Sequence, residues 1–207
     1  EEFISEYNFT LHAYSTETHP FVEDLQTLIN YCTPDRATDE HGLLLQEEQA
    51  EILERIFSQN GFDASACVLD CACGIGTQAI GLAALGYSVT ASDISEGELA
   101  QAKARESFDI ATARAVSELR ILCEITLPFV KVGGKLLAMK GASGEKELTD
   151  AKTAIQKLGG RIEQVHKFTL KDADGNEEER CIIEIRKIAP TPNNFPRQYA
   201  QILKKPL

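Results

Sequence analysis

Val68-Leu-Asp70-Cys71-Ala72-Cys-Gly74-Ile-Gly76-Thr77 is the stretch from which the fold can be read. An apolar run opening at Ala66 and ending on Asp70 predicts a short buried strand. It leads into a loop with small residues at 72, 74 and 76, and then into a helix over Gln78–Leu85. Gly74 and Gly76 let the backbone approach a ligand and take torsions that other residues resist. Gly86 stops the helix, and Tyr87–Ser92 alternates as a second strand that delivers Asp93 and Ile94. An acid about 20 residues beyond a glycine loop is placed to accept hydrogen bonds from a ribose diol. A dinucleotide fold wants a third glycine where the helix meets the pyrophosphate, but positions 77, 78 and 79 are Thr, Gln and Ala. The pattern therefore points to a nucleoside ligand held by a different glycine turn.

Alternating strand and helix signals continue outward from this centre. Upstream, Phe21–Tyr31 has helical spacing, and Glu47–Gln59 is an amphipathic helix ended by Asn60-Gly61. Downstream, Ser95 caps a helix reaching Glu106, and Phe108–Ala113 reads as a strand. Ser117–Val130 reads as a helix, Lys135–Met139 as a strand and Lys146–Leu158 as a helix. Arg161–Leu170 and Arg180–Ile188, joined across Asp172–Asn176, predict an antiparallel hairpin. The expected organisation is an N-terminal helical segment over 1–60, a ligand-binding domain over 61–190 and a basic, proline-containing tail over 191–207. Only one helix fits between Asp93 and Phe108, so the third strand of a doubly wound sheet is expected to be missing. Such a strand stands at the sheet edge, where its loss need not unfold a domain.

The 207 residues fit one domain, and 43% hydrophobic content can build a core. The net charge of −11 is unevenly spread: residues 1–106 carry 19 acidic and 4 basic side chains, residues 107–207 carry 13 and 17. That step near 106 suggests a second half suited to a polyanion and a first half that is not. Six cysteines, three of them clustered around the first strand, read as reduced thiols, which with the absence of a leader pattern suggests a cytoplasmic protein. No apolar run approaches the roughly 18 residues of a bilayer span, so no membrane partner is expected. Cys71 and Cys73 lack further ligands at matching spacing, so no metal is expected.

The form Asp70-x-Ala72-x-Gly74-x-Gly76 resembles motif I of class I S-adenosylmethionine-dependent methyltransferases. That resemblance implies a Rossmann-like α/β fold: a doubly wound, mostly parallel sheet with one antiparallel strand in the C-terminal hairpin. It implies S-adenosyl-L-methionine as cofactor, with Asp70 near the methionine amino group and Asp93 on the ribose. Cys71, Ala72, Gly74, Gly76 and Ile94 would line the same pocket. The wider run from Val68 to Ser95 is similar to general or small-molecule methyltransferases.

From Ser107 onward the kinship changes. Phe108-Asp-Ile-Ala-Thr-Ala-Arg114-Ala-Val, Leu127-Pro128, Gly133-Gly134, Met139-Lys140-Gly141 and Lys157-Leu-Gly-Gly160 resemble the 16S ribosomal RNA guanine-N7 methyltransferases, the family first named glucose-inhibited division protein B. The ending Thr191-Pro-x-x-Phe-Pro196-Arg197 through Lys205-Pro-Leu207 is similar to that family's C-terminal signature. By this resemblance Arg114 serves the cofactor pocket, and Lys140 and Arg197 serve the RNA. The family's own motif I differs in kind from Asp70–Gly76, and its N-terminal helical region is not recognisable in residues 1–60. A fusion of two half-domains accounts for the charge step, the change of kinship and the short junction near 106.

Two classes of function follow. One is an active methyltransferase, acting on 16S rRNA guanine N7 by the kinship of the second half, or on a small molecule by that of the first. The other is a hybrid fold that binds cofactor weakly and does not turn over. The sequence names no catalytic residue: a guanine N7 has its own lone pair and needs no dedicated base, so positioning is the main demand.

Overall fold

The computed structural model describes residues 9–12, 40–71, 77–92, 104–114, 117–171 and 177–207. The chain divides into two compact units, Glu1–Gly97 and Glu98–Leu207.

In the first unit, β1 (Phe9–His12), β2 (Cys67–Cys71) and β3 (Ser88–Ser92) lie in the order β1-β3-β2, all parallel. Phe9 stands opposite Val89, and Cys67 opposite Ser88. Four successive residues of β2, Val68 to Cys71, are buried. A strand covered on both faces is a continuous apolar run rather than an alternation, which is how Val68 and Leu69 announced it. Helix α1 (Glu40–Gln59) presents Leu53, Ile56 and Phe57 to the core and packs against α2 (Thr77–Ala84). The Phe57 ring meets Tyr87 edge-on, with centroids 5.2 Å apart. Edge-to-face contact sets the positive rim of one ring against the negative face of the other.

Segment 1–60 was expected to be helical, yet it contains β1 as well as α1. The expected helix over Phe21–Tyr31 lies outside the described residues. Most of the junction between Asp93 and Phe108 also lies outside them, and the described part, 104–107, holds no strand. The place beside β3, where a third strand would pair, is taken by β1. Sequence reading missed this because four residues, Phe-Thr-Leu-His, are too short for a periodicity signal.

The second unit runs β4 (Phe108–Arg114), α3 (Leu119–Thr126), β5 (Val130–Gly141), α4 (Gly144–Lys157), β6 (Gly160–Lys171), β7 (Glu177–Lys187) and α5 (Tyr199–Lys204). Strand β4 pairs parallel with β5; β5 pairs antiparallel with β7, and β7 antiparallel with β6. The reversed strand of the C-terminal hairpin is therefore where the sequence places it. Helix α3 ends in a 3-10 turn over Leu127–Phe129, because Pro128 offers no amide to carry the α-helix on. All eight residues of α3 except Arg120 are buried. Helix α4 packs on α3, β6 and β7 through Ala151, Ala154 and Ile155. Three parallel strands in one unit, and two parallel strands closed by an antiparallel hairpin in the other, with helices packed on the strands of each, make a Rossmann-like α/β fold.

Candidate functional site

In the first unit, β2 brings Asp70 and Cys71 to the carboxyl end of the strand, both buried, Asp70 at 2% exposure. Ala72, Gly74, Gly76, Asp93 and Ile94 lie outside the described residues. Helix α2 starts directly beyond the loop. Gln78, in its first turn, shares a buried stripe with Ala79, Leu82 and Ala83 and is only 5% exposed. Neither the amide nitrogen nor the oxygen of Gln78 finds a hydrogen-bond partner among the described residues. A buried amide without partners carries a penalty of about 1–3 kcal/mol, so a polar group held there needs a reason. Sequence reading noted Gln78 only as a missing glycine. Its signal was a polar residue on an otherwise apolar stripe.

In the second unit, the carboxyl ends of β4 and β5 are neighbours, with Arg114 opposite Met139. Arg114 is exposed at the end of its strand. Lys140, one residue past Met139, is 6% exposed and is not a surface cation. Its ammonium donates to the Ser117 carbonyl and pairs with Glu147 Oε2 at 2.8 Å. Glu147 also accepts from the Leu119 amide at 2.9 Å and from Ser143 Oγ at 3.0 Å. Burial pushes the Glu147 carboxyl up, but the bond and charge of Lys140 outweigh it, and the group stays ionised below its ordinary range. Cys123, beneath the cluster, has its thiol pushed up to about 12 by burial, against the opposing charge of Lys140. That thiol is no nucleophile at neutral pH.

Arg197 is placed elsewhere. Its guanidinium grips the fully buried Glu124 of α3 in a bidentate pair, Nε to Oε1 and Nη2 to Oε2 both at 2.6 Å. Its remaining nitrogen, Nη1, donates to the Lys205 carbonyl at 3.0 Å. The tail around it is fastened where β4 and β5 begin. Arg105 donates to the carbonyls of Thr191, Pro192 and Phe195, and Glu106 accepts from the Thr191 amide. Of the three cations expected from the sequence to serve cofactor or RNA, Lys140 and Arg197 are each bound to a carboxylate, the half-buried Glu147 and the fully buried Glu124. Sequence reading named the cations but not Glu124 and Glu147, which face them, because residues 73 and 7 positions apart are joined only by folding.

Among the described residues there is no group of three or more His, Cys, Asp or Glu that could hold a metal ion. Cys123 and Cys181 are free thiols. No helix of the described residues is long and apolar enough to cross a membrane.

Comparison with known proteins gives this arrangement its relatives. Residues 82–176 match the family model described as GidB, rRNA small subunit methyltransferase G. The ribosomal RNA small subunit methyltransferase G of Caldicellulosiruptor bescii is 52% identical over 103 residues, 50% of this chain and 42% of that protein. The protein of the same description from Symbiobacterium thermophilum is 48% identical over 103 residues, 50% and 41% of the two chains. The chain thus spans less than half the length of these curated relatives. The match begins within α2, ahead of Ser107, where the sequence motifs place the change of kinship. Among solved structures, a candidate RNA methyltransferase from Pyrococcus horikoshii shares the fold with a TM-score of 0.52 at 12% identity, over 69% of this chain and 85% of that one. A Thermoplasma acidophilum protein does so with a TM-score of 0.50 at 18% identity, over 67% and 85%.

Proposed function

We propose that the protein is an S-adenosylmethionine-dependent methyltransferase whose acceptor is the small-subunit ribosomal RNA, at guanine N7 of the 16S species. The observation that carries the reading is the match of residues 82–176 to the rRNA small subunit methyltransferase G family, with 52% identity to one of its members over 103 residues. The first unit fits the cofactor on one structural count: the Gln78 amide lies buried in the first turn of α2 with no hydrogen-bond partner among the described residues. Ligands of open α/β sheets bind outside the carboxyl ends of the strands, and Asp70 lies near that end of β2. Asp70, Cys71, Ala72, Gly74, Gly76, Asp93 and Ile94 would hold the cofactor, which supplies an electrophilic methyl group on a sulfonium. Transfer to N7 is an in-line displacement by a lone pair the base already has. The protein's part is to orient the base and exclude water rather than to remove a proton.

A second reading, a small-molecule acceptor, is favoured by the 19 acidic side chains of residues 1–106, which repel a polyanion within about 10 Å at 0.1 M salt. Calorimetry with S-adenosylhomocysteine, followed by methyl transfer to a 16S rRNA fragment and to small subunits, separates the readings. The wild-type protein is expected to bind the homocysteine product. Asp93→Ala is expected to weaken that binding tenfold or more, from losing a bond pair worth about 1.5–3 kcal/mol. RNA affinity should fall with salt at about 0.7–0.9 log units per log unit for each phosphate contacted. A folded protein without affinity for the product removes the methyltransferase reading. Product binding with salt-insensitive RNA affinity, or with none, moves the acceptor to the small-molecule class.

A further inference from the structure

Lys140, at the carboxyl end of β5, forms an ion pair with Glu147 of α4 that the strand does not need for its own pairing. Lys140 and Glu147 meet at 2.8 Å, and between them they hold both sides of one turn: Lys140 the Ser117 carbonyl, Glu147 the Leu119 amide. The hydroxyl of Ser117 itself is buried and has no partner among the described residues. A turn that satisfied its own polar groups would use that hydroxyl, so its position is imposed from outside, by the pair. Ser117 lies three residues beyond Arg114, the last residue of β4, and α/β folds receive ligands at the carboxyl ends of their strands.

We propose that Lys140 is a positioning residue: paired with Glu147, it fixes Ser117–Leu119, the lead into α3, for the methyl acceptor, and it contacts no phosphate itself. This rests on the methyltransferase reading, which makes that turn part of the acceptor's surroundings. The arrangement gives Lys140 a role opposite to that of a surface cation. Its charge is already matched by a carboxylate and its remaining reach taken by a carbonyl.

The two roles predict opposite signs for one substitution. If Lys140 held a phosphate, Glu147→Gln would unmask a cation and tighten RNA binding. Lys140→Met would weaken binding and lower the salt slope by about one contact. If Lys140 positions the turn, both variants lose turnover together, roughly 10–100-fold in kcat, because small misplacements of this kind cost that much. RNA affinity and its salt slope stay at the wild-type values in both. The double variant is then no worse than either single one, since both remove the same restraint. Lys140→Arg, which can still pair with Glu147, recovers part of the rate.

Amide exchange at Leu119, whose N–H donates to Glu147, is measured alongside, without RNA or cofactor. Faster exchange at this amide in Lys140→Met and Glu147→Gln, with β4 and β5 unaltered, is the expected result and shows that both variants are folded. Unchanged protection there, or tighter RNA binding by Glu147→Gln, overturns the inference whatever the activity. Absence of S-adenosylhomocysteine binding by the wild type, with exchange behaving as expected, instead removes the methyltransferase reading and leaves Ser117–Leu119 held by the pair.

Discussion

Lys187 is the most deeply placed cation of the second unit, with no exposed surface. Its ammonium donates to the Leu127 carbonyl and to Thr191 Oγ1, both at 2.6 Å, and lies 3.4 Å from Glu106 Oε1. Burial lowers its pKa to about 8 from 10.5, and the Glu106 carboxylate only partly opposes this. Below the folded value both the folded and the unfolded chain keep the proton. Between about 8 and 10.5 the folded chain has released it while the unfolded chain still holds it, so stability rises with pH across that window. The gain is on the order of 2–3 kcal/mol at most. Denaturant unfolding of the wild type and Lys187→Met at intervals from pH 7 to about 11 should show the wild type gaining on the variant over that window. A constant difference would disprove the assignment. The Glu124 carboxylate hydrogen-bonded to Arg197 raises its already high pKa, so the guanidinium keeps its proton.

At the scale of elements, the joint between α4 and β6 is the most tightly constrained turn of the second unit. Gly159 closes the helix with φ +83, and its carbonyl accepts from the amides of Ile188 and Ala189 at 2.8 and 3.1 Å. A Cβ on Gly159 would be driven into the Ala189 carbonyl, whereas one on Gly133, with φ +96, would meet nothing within 4 Å. Gly133→Ala should therefore cost only the left-handed backbone penalty, roughly 1–2 kcal/mol. Gly159→Ala should cost clearly more, because the tail strand must shift and both hydrogen bonds with it. Urea midpoints of the two variants check this, and equal losses would show that the tail yields freely. The tail that Gly159 receives is itself held by Arg105, Glu106 and Lys187, which explains why its prolines need no regular structure to stay in place.

On the scale of the molecule, the unit boundary at Gly97, the charge step near 106 and the start of the family match at residue 82 all fall within one stretch of chain. The first unit takes its outer strand from residues 9–12. An edge left bare presents unpaired amides and carbonyls that invite another chain. Removing residues 1–12 should speed amide exchange over Val89–Ser92 and raise the self-association seen by sedimentation, while the amides of β5 and β7 keep their protection. Unaltered exchange in β3 would mean that β1 contributes no pairing in solution.

Local signals settled much of this protein without reference to anything distant. The continuous apolar run before Asp70 specified a strand and the sequence after Gly76 a helix start, because burial on both faces and helical spacing are properties of single segments. The two strands flanking Asp172–Asn176 declared a hairpin for the same reason. Asp70 was legible as an acid near the carboxyl end of that strand, and the structure finds it buried there. Tertiary structure alone decided what the cations do. Lys140 and Arg197 look alike in sequence to any exposed basic residue, and only folding sets Glu147 against one and the buried Glu124 against the other. Removing an ion from water is costly unless a partner of opposite charge is brought to it, and such partners come from other elements of the chain. The same holds for β1, whose four residues become a strand only because β3 offers them an edge.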